Sequence, residues 1–308
     1  MKINFSEVIK MPKNNYLSGA LMVIFSAFCF ALKGIFIKIA YRYGIDTISL
    51  LTLRMLFSAP FYILIAVWIS KKQDNLAISK NQWQWIAGLG VIGYYLSSFF
   101  DFESLNYITA HLERVLLFVY PTFVLFINAF FRKKSISKLQ YLALGVTYFG
   151  IILAFSQNIK TQQKDLFLGA FWVILAGLIY ACYLVGGDKI IPQVGSNRFT
   201  IYALLFATVP VVIHCFIKNQ LHIWHYPKEI YVIGITMAIF VTVIPTFAMS
   251  EGIRRVGSGN TAIMASSGPI FTIVLATVFL GEQITFLQII GTLFVLLGVF
   301  LIGWKGEK

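Results

Sequence analysis

The chain has 308 residues, of which 58% are hydrophobic and only 12% are charged. A soluble domain carries about 25% charged residues, so this composition excludes a soluble globular protein and indicates a chain that crosses a membrane several times. The net charge of +13 comes from basic residues between apolar runs. Because they do not follow one polar face, they argue against nucleic-acid binding.

Apolar runs of about 20 residues, separated by short polar breaks, predict an all-α integral membrane protein with ten transmembrane helices. The polar residues 1–15 are predicted to form a cytoplasmic N-terminal segment, and the first run is too long for a cleaved signal peptide. The predicted helices are 16–40, 48–69, 84–107, 110–131, 138–157, 168–191, 198–217, 229–252, 258–280 and 284–304.

The two halves of the chain match each other at a spacing of 148 residues. Tyr120-Pro121-Thr122-Phe123 corresponds to Gly268-Pro269-Ile270-Phe271, Gln140 to Gln288, and Gly150 to Gly298. At a spacing of 150, Pro60 corresponds to Pro210. The match predicts two five-helix repeats, 16–157 and 168–304, as in transporters that arose by duplication.

The distribution of Lys and Arg between the breaks predicts the orientation in the membrane. Sixteen of them fall on one side of the predicted helices and six on the other, which places both termini in the cytoplasm, with the cell membrane as the expected location. Five helices is an odd number, so the second repeat must enter the membrane inverted relative to the first.

The segments around the second repeat resemble the EamA family of the drug/metabolite transporter superfamily. The resemblance lies in Gly259-Asn260-Thr261-Ala262, Ser267-Gly268-Pro269-Ile270-Phe271, Leu280-Gly281-Glu282-Gln283, Gln288, Gly291 and Gly298. The first half is similar at Pro121, Gln140, Gly145 and Gly150, but Arg132-Lys133-Lys134 stands where the family has Leu-Gly-Glu. The resemblance implies ten helices and solute transport, and it names no solute.

Six ionisable residues lie inside the predicted helices, where an unpaired charge is costly. At about 1.5 Å per residue, all six fall within roughly 10 Å of the outer ends of helices 1 to 4. They are Lys33, Arg54, Asp101, Glu103, Glu113 and Arg114. Their charges sum to zero, so two interpretations remain open: interhelical ion pairs or snorkelling side chains, and a gate or polar wall of a solute path.

Pro121 and Pro269 fall near the centre of the bilayer, where a proline frees a carbonyl and is expected to bend the helix. The bend indicates either a moving part of a solute path or a kink filled by neighbouring helices. Tyr120 adjoins the first proline, and Ser266 and Ser267 adjoin the second. The serines provide polar surface or allow close packing of helices.

No motif for an enzyme, a metal site, a cofactor or a phosphate-binding loop stands out. The sequence therefore predicts a secondary transporter that moves a small metabolite, such as an amino acid or a nucleotide-like or drug-like solute, by alternating access as an exporter or exchanger. The expected partners are the solute and the lipid bilayer, with no nucleic acid and no cofactor. An intramembrane enzyme and a channel or scaffold are the alternatives.

Overall fold

A computed structural model of the chain describes residues 13–72, 78–133, 135–160, 165–219, 222–256, 261, 264–265 and 267–304. The described part is helical throughout, apart from short connections. The first half contains α1 (Lys13–Tyr41), α2 (Thr47–Lys72), α3, α4 (Ala110–Leu117), α5 (Tyr120–Arg132) and α6 (Lys138–Lys160). Helix α3 runs without interruption through Lys80–Gly90, a π-helical stretch Val91–Leu96, and Ser97–Ser104.

The second half contains α7 (Leu166–Val194), α8 (Ser196–Asn219), α9, α10 and α11 (Phe286–Trp304). Helix α9 comprises Lys228–Thr236, a π-helical stretch Met237–Val243, and Ile244–Val256. Helix α10 comprises Gly268–Leu275 and the π-helical stretch Ala276–Leu280. The first residues of the predicted helix 258–280 lie partly outside the described residues.

Seven described helical stretches are long and apolar enough to cross a membrane. They are Tyr16–Tyr41, Thr47–Ile69, Ala110–Phe131, Lys138–Ser156, Leu166–Val194, Ser196–Lys218 and Lys228–Val256, and the shorter apolar helices Gly268–Leu280 and Phe286–Leu301 follow them. Helix α3 is less apolar because it starts with polar residues and carries Asp101 and Glu103 near its end. The protein is therefore a multi-pass membrane protein.

The sequence matches between the halves correspond to matched helix ends. Ser137 and Gln140 form a capping box at the start of α6, and Thr285 and Gln288 form the same box at the start of α11. Each box satisfies backbone N–H groups that have no partner within the helix. Lys133, in the segment that departs from the family pattern, has φ 51°, and the corresponding Gly281 has φ 70°. The backbone therefore makes the same left-handed turn in both halves.

The helices also pack in a pattern that is unchanged when the halves are exchanged. Helix α1 packs on α9 as α7 packs on α3, and α1 packs on α10 as α7 packs on α5. The pairs α2–α8 and α6–α11 each join two corresponding helices. In the α6–α11 pair the backbones approach closely at Gly150 and Gly291, because neither residue has a side chain to separate them.

Candidate functional site

One ammonium group lies between two buried carboxylates from different helices. Lys33 Nζ of α1 is 2.6 Å from Asp101 Oδ2 of α3 and 3.5 Å from Glu113 Oε1 of α4. Asp101 is 4% exposed and Glu113 is 1% exposed. The contacts connect three helices of the first half through one lysine, and such buried charges are tolerated only when they are paired.

Two arginines lie next to this triad. Arg114 Nη2 donates a hydrogen bond to the carbonyl oxygen of Phe30, one turn before Lys33, at 2.6 Å. The guanidinium of Arg54 lies over the ring of Phe102, 5.0 Å from its centroid. Electrostatic interactions link Arg54 with Asp101, and Arg114 with both carboxylates. We refer to Lys33, Arg54, Asp101, Glu113 and Arg114 as the charged cluster.

Glu103 is separate from the charged cluster. Its Oε2 accepts a hydrogen bond from Thr47 Oγ1 at 2.6 Å, and its Oε1 accepts one from the Tyr107 hydroxyl at 3.3 Å. Residues two positions apart on a helix point about 200° away from each other, so Asp101 and Glu103 face different surroundings. The structure therefore gathers five of the six candidate charges and leaves Glu103 at the loop that follows α1.

The two candidate prolines begin helices rather than bending them. Helix α4 ends at Leu117, α5 starts at Tyr120, and Pro121 lies in the first turn of α5. Helix α10 starts at Gly268, directly after Ser267, and Pro269 likewise lies in its first turn. A proline suits the first turn because the N–H that it lacks would have no partner there. The expected bend in the first half is thus a break between two helices, and the second proline also starts a helix.

Of the two serines beside Pro269, the structure describes only Ser267. Ser267 donates from Oγ to the carbonyl oxygen of Met264 at 2.7 Å. This bond helps to satisfy the backbone just before α10 begins. Ser266 lies outside the described residues.

Four tyrosines from three elements pack in a row beside the charged cluster. The rings of Tyr120 and Tyr180 meet edge to face at 5.3 Å, and the rings of Tyr180 and Tyr183 stack at 5.7 Å. The hydroxyls of Tyr183 and Tyr94 are 2.9 Å apart. Tyr94 lies in the π-helical stretch of α3, a local widening that often occurs at functional sites.

This tyrosine row (Tyr94, Tyr120, Tyr180 and Tyr183) connects to the charged cluster at both ends. Tyr120 lies within electrostatic range of Arg114. At the other end, Tyr62 lies within the same range of both Tyr94 and Arg54. Polar side chains from α2, α3, α4, α5 and α7 therefore lie near one another, with Lys33 of α1 beside them. The arrangement is suited to binding a small polar or charged solute.

The sequence did not indicate the role of Glu282. Its carboxylate accepts hydrogen bonds from the backbone N–H groups of Ala110 at 2.8 Å and His111 at 3.3 Å, and so it caps the start of α4 across the two halves. Its counterpart at a spacing of 148 is Lys134, so comparison of the repeats could not predict a carboxylate cap at this position. Among the described residues, no three His, Cys, Asp or Glu side chains come together as metal ligands would.

Helices of membrane-crossing length that enclose buried charges define a multi-pass membrane protein with a polar interior site. Comparison with family profiles identifies the family to which this membrane protein belongs. The profile of the EamA-like transporter family matches the chain twice, over residues 17–156 and 167–304. The chain belongs to this family, and it is a transporter built from two copies of one repeat.

Relatives of similar length support the assignment. The chain is 32% identical over 279 residues to "Uncharacterized transporter YcbK" of Bacillus subtilis (strain 168), with 89% of each chain covered. It is 25% identical to "Uncharacterized transporter sll1319" of Synechocystis sp., with 96% of each chain covered. One crystal structure shares the fold with a TM-score of 0.63 at 13% identity, covering 92% of this chain and 96% of that one.

Proposed function

We propose that the protein is a secondary transporter that moves a small metabolite by alternating access, as an exporter or exchanger. The observation that carries the proposal is the pair of corresponding helix starts at Pro121 and Pro269. Interrupted hydrophobic segments at corresponding positions of two repeats are typical of solute sites in transporters. The first of these segments lies beside the charged cluster and the tyrosine row.

The proposed architecture is ten membrane spans in two inverted five-helix units, 16–157 and 168–304. Contacts between connecting segments support it. At one end, Arg42 donates to the carbonyl oxygen of Leu280, and Tyr226 donates to Asp46. At the other end, Arg255 donates to Ser18. The connections after α8, α9 and α10 thus lie alternately at the two ends of the bundle, which supports the proposed ten crossings.

The proposed location is the cell membrane, with both termini in the cytoplasm. The excess of Lys and Arg on the side of the termini supports this orientation. It places Glu282, the start of α4 and the loop before α2 at the outer end. Opening toward the outside then requires that Glu282 separate from Ala110 and His111.

A release assay on defined vesicles tests the proposal. Purified protein is reconstituted into liposomes loaded with an isotope-labelled equimolar mixture of amino acids, nucleosides, organic acids and sugars. The same mixture, unlabelled, is placed outside so that an exchanger also turns over, and the labelled solutes that leave are followed by mass spectrometry. We expect at least one solute to leave faster than from protein-free liposomes, with a rate that saturates as its internal concentration rises.

The same assay separates the alternatives. Equally fast release of all solutes of one size, without saturation, would indicate a channel. A new mass that appears only with the protein would indicate an enzyme. Release at the protein-free rate for every solute would contradict the transporter proposal.

A further inference from the structure

The charged cluster has an excess of positive charge. It contains three basic groups, Lys33, Arg54 and Arg114, and two acidic groups, Asp101 and Glu113. Glu103, the sixth candidate, is bonded to Thr47 and Tyr107 instead. If one carboxyl binds a proton, the excess grows, so the net charge is positive whether or not the carboxyls are protonated.

Among the described residues, Lys33 and Arg114 form a hydrogen bond or ion pair with an oxygen, whereas Arg54 forms neither. Lys33 contacts both carboxylates, and Arg114 is bonded to a backbone carbonyl beside them. Arg54 is only 7% exposed, and among the described residues none accepts a hydrogen bond from its Nε. Its observed neighbour is the ring of Phe102, which offers a weak attraction compared with a carboxylate.

Snorkelling does not explain this arginine. Arg54 is seven residues past the start of α2, about 10 Å along the helix, and its side chain is enclosed by other helices. Asp101 acts on Arg54 electrostatically, but among the described residues no carboxylate forms an ion pair or hydrogen bond with it. A buried cation without a directly bonded anion is unfavourable in a low-dielectric interior. An anion from outside the chain resolves the imbalance.

We propose that the transported solute carries a carboxylate or phosphate group and that Arg54 binds this group. The guanidinium presents several N–H donors in one plane, a geometry that matches both kinds of anion. Tyr62 and the tyrosine row then contact the remainder of the solute. This inference rests on the proposed transport function and narrows the solute to molecules that carry a carboxylate or phosphate group.

Thermal unfolding of the purified full-length protein in a neutral detergent tests the inference. The probes are sodium lactate, sodium succinate and sodium phosphate, each against NaCl at the same ionic strength, with lactamide and succinamide as uncharged analogues. A ligand that binds the folded state raises its unfolding temperature in a saturable way. We expect at least one of the three anions to do so, and neither amide.

The variants identify the residue. Arg54→Gln is expected to lower the affinity for the anion that binds by roughly 10- to 100-fold, the loss typical of a hydrogen bond to a charged group. Arg54→Lys should retain part of the affinity. Arg254→Gln, at an exposed pair with Glu251, is the matched control and should not change binding. Without any probe, Arg54→Gln should unfold at the same temperature as the natural protein or higher, because it removes a buried cation to which no carboxylate is directly bonded.

Several outcomes would overturn the inference. These are no shift with any of the three anions, an equal shift in Arg54→Gln, or an equal shift with an amide. A shift with phosphatidylglycerol in mixed micelles, but not with the soluble anions, would assign the site to a lipid headgroup and overturn the solute version. Because binding is measured without flux, release of a neutral or cationic solute from liposomes would leave the transport function in place while this inference fails.

Discussion

At the scale of single residues, Lys33 is the centre of the site. It contacts Asp101 and Glu113 at once, so α1, α3 and α4 share one cation. Removing it leaves two buried carboxylates next to each other. The residue therefore has a larger influence on stability than either carboxylate alone.

A double-mutant cycle on this contact provides the first prediction. Lys33→Met is expected to lower the free energy of unfolding by about 3–5 kcal/mol, the cost of an uncompensated buried charge. Asp101→Asn should cost less, because Glu113 remains beside Lys33. The double variant should cost less than the sum of the two, with a coupling of roughly 0.5–3 kcal/mol. Denaturant unfolding in detergent measures all four proteins.

Glu103 provides the matched control for this cycle. It lies on the same helix but bonds to Thr47 and Tyr107, so Glu103→Gln and Lys33→Met share no partner. Their effects should add to within about 0.5 kcal/mol. Additive losses in the Lys33–Asp101 cycle as well would show that the charges act independently.

At the scale of helices, the interruptions and the close crossings have different tasks. The start of α5 at Pro121 and the start of α10 at Pro269 each mark a place where helical hydrogen bonding changes. The crossing of α6 and α11, in contrast, brings two backbones into contact over Gly150 and Gly291. In the proposed alternating-access mechanism, the interruptions would allow movement, and the crossing would hold the halves together.

The second prediction concerns the prolines. Replacing Pro121 and Pro269 together by alanine supplies the missing N–H groups and allows each helix to extend backward, so solute release should slow at least several-fold while the protein still folds. Pro60→Ala with Pro210→Ala is the control, because these prolines correspond across the halves but lie inside the continuous helices α2 and α8. The measurement is the initial rate of release from liposomes. Unchanged release in the first pair would remove the prolines from the mechanism.

The third prediction concerns the glycines at the α6–α11 crossing. A Cβ added at Gly291 would lie 2.6 Å from the Gly150 carbonyl oxygen and 2.7 Å from the Ala154 nitrogen. Because backbone atoms cannot move aside easily, Gly291→Ala should destabilise the protein by about 1–3 kcal/mol. Gly145→Ala, on α6 with no atom within 4 Å of the added Cβ, should be neutral or stabilise by up to about 1 kcal/mol. Equal unfolding midpoints for both variants would contradict the packing argument.

At the scale of the whole molecule, the contacts relate the two halves by exchange, but the buried charges do not follow the repeat. Arg54 corresponds to Leu204, and Asp101 to Met249. A symmetric frame thus contains an asymmetric site, placed mainly in the first half and completed by Tyr180 and Tyr183 of α7. Alternating access in such a frame would expose one site to two sides.

The fourth prediction concerns orientation. In a background in which the three cysteines are replaced by serine, single cysteines at Lys80 and Lys228 occupy exposed starts of α3 and α9. With both termini cytoplasmic, an impermeant maleimide should label Lys228→Cys and not Lys80→Cys in intact cells. Both should be labelled after permeabilisation. The reverse pattern in intact cells would overturn the proposed orientation.

Much of this fold could be predicted from the sequence because apolar length and polar breaks are local signals. The sequence predicted a bend at Pro121, but one helix ends at Leu117 and another starts at Tyr120, because periodicity does not distinguish a bent helix from two helices that meet. The gathering of Lys33 with Asp101 was anticipated by depth alone, whereas Glu103 was misplaced because depth ignores the direction around a helix. The cap by Glu282 on α4 joins residues 172 apart, and no local pattern encodes such a contact.

The α6–α11 crossing has a consequence for how the chain is made. The two helices are the last of their respective halves, and about 125 residues separate the end of α6 from the start of α11. At a synthesis rate of about 5–20 residues per second, α11 begins to be made roughly 6–25 seconds after α6 is complete. Throughout that interval the Gly150 face of α6 lacks the helix against which it packs in the finished protein.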